Sequence, residues 1–172
     1  IYFRYTKIIL ILFTFYLFKD QIMKKILSIA LILIVGIGAV YSQDKEKDAI
    51  KKTILSAYQD GLLNEGDSKK VDAGFHPDFE MLGVNKDGEM YRYHIKDWKA
   101  SNEQKVKDGK LPKKKGDKVK IKIPMVDVTG IAAVAKIEFY VKDKMVFVDY
   151  QSLYKLDGKW QIVANIYHTV KN

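Results

Sequence analysis

The chain has 172 residues, a formal net charge of +9 and no cysteine. The missing cysteine excludes thiol redox chemistry, disulfide staples and a lipid-modified cysteine. A domain of this size must then be held by its hydrophobic core alone, which its length allows.

The sequence opens at Ile1, and its first methionine is Met23. Ile8 to Phe18 is apolar but for Thr14, too short for a bilayer span of about 20 residues. Residues 1–22 are read as an upstream extension of the reading frame, outside the native product. Met23-Lys24-Lys25, the apolar run Ile26–Val40 and the small residues before Gln43 form the three parts of a signal peptide over 23–42. Lys19, Asp20, Lys24 and Lys25 argue against a longer uncleaved anchor, because charges near the bilayer centre are costly. Cleavage before Gln43 leaves residues 43–172 as one domain with a net charge of +5. The expectation is an exported, periplasmic or secreted protein without a stable membrane anchor.

From Asp44 to Asn64, apolar residues recur at three- and four-residue steps, including Ile50, Ile54, Ala57, Tyr58 and Leu62. That spacing predicts an amphipathic helix, closed by Gly66. Asp67 or Ser68 can cap a short second helix, which ends before Pro77. Strands over Phe79–Val84 and Glu89–Tyr93 flank the turn Asn85-Lys86-Asp87-Gly88. A third helix is predicted over Ile95–Lys107 with Trp98 on its inner side. A lysine-rich loop follows, then four strands over Val119–Val128, Ile131–Val141, Met145–Leu156 and Lys159–Val170, joined by short turns. Long antiparallel neighbours with short turns predict a meander sheet covered on one face by helices, an α+β fold.

This order resembles the nuclear-transport-factor-2-like superfamily, and within it the putative lumazine-binding branch. The matching residues are Ile54, Tyr58, Asp60-Gly61, Gly66-Asp67, Phe75-His76-Pro77-Asp78-Phe79, Met81, Trp98 and Asp157-Gly158-Lys159-Trp160-Gln161-Ile162-Val163. The resemblance covers roughly residues 47–170. It implies a cone-shaped fold, three N-terminal helices against a strongly bent antiparallel sheet, with an open mouth and an interior able to hold a ligand. The branch name implies a small heterocyclic ligand, but lumazine itself is not read into this chain.

Alternation sorts the polar residues of the last two strands. It puts Phe147, Asp149, Gln151 and Leu153 on one face of their strand. It puts Trp160, Ile162, Ala164, Ile166 and His168 on one face of the next. Both faces carry apolar residues, so pattern alone does not settle which is concave; the fold resemblance favours the faces of Asp149 and Trp160. A carboxylate in an apolar cone can act as a general base, because desolvation raises its pKa. Relatives of this fold include isomerases, dehydratases and cyclases that use an Asp or an Asp/His pair, and Asp149 with His168 is the pair available here. The alternative for Asp149 is a structural hydrogen bond from a neighbouring tyrosine or tryptophan. The candidate ligand-binding residues are Tyr58, His76, Phe79, Tyr93, Trp98 and Trp160. His94 suits a helix cap. Three histidines without close spacing predict no metal site, and no phosphate loop or dinucleotide fingerprint calls for a cofactor. The lysines of 105–122 lack interleaved aromatics and read as a solvated loop and edge strand, not a nucleic-acid surface.

The expected function is export followed by non-catalytic binding of a small, partly apolar ligand. An isomerase, dehydratase or cyclase is one alternative, and a dimeric interaction module built on the open sheet face is another.

Overall fold

The computed structural model describes residues 43–170; the segments read from the sequence as a signal peptide and an upstream extension lie outside the described residues. Residues 45 onward form one compact unit.

Helix α1 runs over residues 43–65, and its second part, Ile54–Glu65, is wound as a π-helix. Its buried positions Ile54, Ala57, Tyr58, Gly61 and Leu62 are the predicted stripe. Gly66 ends it at φ 70°, a left-handed conformation that glycine adopts without a Cβ penalty. Asp67 then caps α2 (Ser68–Gly74), its side chain accepting from the backbone N–H groups of Lys69 and Lys70. Strands β1 (Phe75–Val84) and β2 (Met90–His94) follow, then α3 (Ile95–Lys107). The chain finishes with β3 (Lys120–Thr129), β4 (Ala132–Val141), β5 (Lys144–Leu156) and β6 (Lys159–Thr169).

The six strands form one sheet in the order β2-β1-β6-β5-β4-β3. The predicted meander is β3 to β6. The hairpin β1-β2 joins it by a parallel pairing of β1 with β6, so the sheet is mixed, with one parallel pair among antiparallel ones. Alternation marks a strand but not its spatial neighbour, so that pairing was invisible in the sequence. The hairpins at Lys142-Asp143 and Asp157-Gly158 hold both central residues at positive φ, the mirror-image turn that matches strand twist.

Register breaks leave extra residues in β1, β3, β5 and β6 and mark bulges, which bend a strand and strengthen its twist. The inward face carries Ala135, Ile137, Leu153 and Ile162, packed against Ile50, Ile54 and Leu62 of α1 and Val71 of α2. Amides fasten the edge strand to α1. Asn64 exchanges two hydrogen bonds with the backbone of Val119, at 2.8 and 3.0 Å, and Gln59 accepts from the Ile121 N–H. Among the described residues no helix is long and apolar enough to cross a membrane.

Candidate functional site

Between α1, α3 and the sheet lies a cavity of ≈ 220 Å³. Leu63, Met81, Trp98, Phe139 and Phe147 make its walls apolar, while Tyr58, Asp149, Asn165 and Tyr167 bring polar groups into it. Tyr58 comes from α1, and the other three polar groups come from adjacent sheet positions. One row runs Tyr93–Met81–Asn165–Gln151–Ala135 across β2, β1, β6, β5 and β4, and Asp149 pairs with Tyr167 beside it.

Asp149 is 2% exposed. The Tyr58 hydroxyl donates to its Oδ2 at 2.6 Å, and the Asn165 side chain also hydrogen-bonds it. Burial pushes its carboxyl up to about 6, against those two hydrogen bonds, which favour the charged form. Burial first, then the neighbouring Asp149 charge, hold the Tyr58 phenol well above its usual range, so Tyr58 stays a neutral donor. Beside this pair the amide polarity is incomplete. Both side-chain amide atoms of Gln151 and the Oδ1 of Asn165 are buried without a hydrogen-bond partner. Unpaired buried polar atoms cost about 1–3 kcal/mol each, so the three are a feature to be explained; of the two residues, Asn165 lines the cavity and Gln151 lies behind it in register.

The predicted Asp149/His168 pair is not formed. Leu153 pairs with Ile162 but Ser152 pairs with Ala164, which leaves Val163 as an extra residue in β6. That bulge reverses the alternation after it. Trp160 and Ile162 point inward, and so do Asn165 and Tyr167, while Ile166 and His168 are exposed. His168 lies opposite Val148, the neighbour of Asp149 whose side chain points the other way.

Of the other candidates, Tyr58 and Trp98 line the cavity, their rings meeting edge-on at 6.2 Å. Tyr93 packs behind Trp98 at 5.8 Å between centroids. Phe79 is a core residue, stacked edge-on against Phe75 at 4.9 Å. His76 lies in a separate outer hollow with Pro77, Ile95 and Lys99, and its Nδ1 accepts from the Asp78 N–H at 3.2 Å. Trp160 is buried with its indole N–H donating to Glu46 at 2.6 Å. It borders a larger hollow, ≈ 520 Å³, which lies away from Asp149 and is rimmed by Lys52, Lys70, Lys155 and Lys159. The smaller cavity is the stronger candidate, because convergent polar groups and a carboxyl with a displaced pKa lie inside apolar walls. Tyr93, His76, Phe79 and Trp160 do not line the cavity. Asn165 and Tyr167 were missed because the bulge hid them; Gln151 was legible as a polar residue on the face of Asp149. No group of three potential metal ligands exists among the described residues.

A family model described as "Putative lumazine-binding" matches residues 45–168. An NTF2-like protein of unknown function from Shewanella baltica OS155 is 29% identical with a TM-score of 0.56, covering 74% of this chain and 96% of its own. Another, from Silicibacter pomeroyi DSS-3, is 19% identical with a TM-score of 0.59, covering 74% of this chain and 98% of its own, a likeness of fold alone. Aldolase FrzH from Cladobotryum sp is 29% identical over 132 residues, which are 76% of this chain and 97% of that protein. The chain belongs to the putative lumazine-binding family of the NTF2-like superfamily.

Proposed function

We propose that the protein is exported and binds one small, largely apolar organic molecule, bearing a hydrogen-bonding group, in the cavity over Asp149. The observation that carries this reading is the coincidence of a ≈ 220 Å³ apolar cavity with the unpartnered Oδ1 of Asn165 in its wall, beside the buried carboxyl. An apolar cavity of about 150 Å³ takes up benzene, so this space suits a single-ring compound. Native mass spectrometry of the protein purified from its own host tests the reading. A retained small molecule that is lost in Asp149→Leu supports it; a bare chain that also fails to take up small aromatic compounds sinks it.

A catalytic reading has its own support. Asp149 is a carboxylate above about pH 6 and sits in apolar surroundings, the setting of a general base. The relative named an aldolase spans nearly its whole length here. Aldol chemistry begins by removing a proton beside a carbonyl, which a lone buried carboxylate can do without His168. Exchange of deuterium into simple ketones, rising with pH through about 6 and abolished in Asp149→Asn, would separate this from binding alone.

A dimer through the outer sheet face is also supported by exposed apolar side chains there. Ile166 is 53% exposed, with Tyr150 beside it in register. A monomer by sedimentation at tens of micromolar would remove that reading.

A further inference from the structure

Tyr91 of β2 stands opposite Gly83 of β1. A Cβ on Gly83 would collide with the Tyr91 ring. The bare glycine lets that ring lie flat across β1 and reach β6, where its hydroxyl hydrogen-bonds the hydroxyl of Tyr167. Tyr167 lines the same cavity as Asp149 and is its register partner across β5 and β6. Each phenol has one proton, and a two-phenol hydrogen bond uses one of the two. When Tyr91 donates, the Tyr167 proton is left to point at whatever the cavity contains. Hydrogen bonds in such a chain strengthen one another.

From this geometry we infer that Tyr167, backed by Tyr91 across Gly83, is the donor pole of the cavity and holds a carbonyl or enol oxygen of the ligand. The ligand class is then a small carbonyl compound, its oxygen at Tyr167 and the adjoining part of its ring or chain facing Asp149. The inference rests on the reading of this cavity as a ligand site. Tyr167 would touch the ligand; Tyr91 is a positioning residue that acts through it.

The test uses two probes, benzaldehyde labelled with ¹³C at the carbonyl, and toluene, which has the same ring and no acceptor. Binding to the protein is followed by NMR. Benzaldehyde should bind about tenfold tighter than toluene, the worth of roughly one hydrogen bond, with its carbonyl resonance moved downfield. In Tyr167→Phe that preference and the downfield movement should vanish while toluene affinity stays the same. Tyr91→Phe should keep part of both, and Gly83→Ala should match Tyr91→Phe if it folds. Equal benzaldehyde behaviour in the wild type and Tyr167→Phe, with toluene still bound, overturns the donor pole and leaves the cavity reading standing. Failure of both probes to bind overturns both.

Discussion

Tyr58 and Asp149, 91 positions apart, share a buried 2.6 Å hydrogen bond that joins α1 to the middle of the sheet. The bond gives the buried phenol its acceptor, and the carboxyl it reaches is shared with the Asn165 side chain. It also opposes the rise in the Asp149 pKa that burial causes. Tyr58→Phe should therefore move the Asp149 carboxyl above about 6, read by ¹³C NMR titration of the carboxyl carbon. At pH 8 the variant should lose about 1.5–3 kcal/mol of stability, the range for a hydrogen bond to a charged group. At pH 4.5, where the carboxyl is protonated, the loss should be smaller.

The pH dependence of stability has a definite sign at Asp149. Its pKa in the folded chain is raised from 3.8 to about 6, so the folded state binds the proton more tightly than the unfolded state. Its contribution is most favourable below the lower value and is lost as pH rises through the upper one. Asp149→Asn removes that slope. The stability of the variant relative to wild type should grow by about 3 kcal/mol between pH 3.5 and pH 8. Urea unfolding at the two pH values measures the difference, and equal slopes in both proteins would contradict the buried, displaced carboxyl.

Gln151 is fully buried and neither of its amide atoms has a partner. Replacing it by methionine of similar length removes two unmet groups without opening a void. Gln151→Met should raise stability by about 1–3 kcal/mol and, on the proposed function, weaken retention of the native ligand. A rise in melting temperature with undiminished ligand in native mass spectra would deny Gln151 any part in binding.

Helix α2 meets α1 at Gly74, where an added Cβ would strike the Cβ of Ala57. Gly74→Ala should cost about 1–3 kcal/mol through overpacking. The double variant Gly74→Ala with Ala57→Gly should recover part of that loss, since the second change reopens the contact. Denaturant unfolding of the two single variants and the double variant gives the coupling directly.

Local patterns carried most of the fold in the sequence. The α1 stripe, the Gly66 stop, the Asp67 cap and the glycine turns at 88, 130 and 158 depend on residues within a few positions of one another. So did the suspicion that Asp149 is a buried carboxylate, because Phe147, Gln151 and Leu153 share its face. The tertiary structure decided what local pattern cannot hold. It made β1 a parallel neighbour of β6, and so placed Met81 beside Asn165. It inserted Val163 as a bulge, which turned Asn165 and Tyr167 toward Asp149 and His168 away from it. A bulge is one residue whose effect is to reverse every side chain beyond it. Its position is fixed by pairing with two other strands, so strict alternation along a single strand could not reveal it.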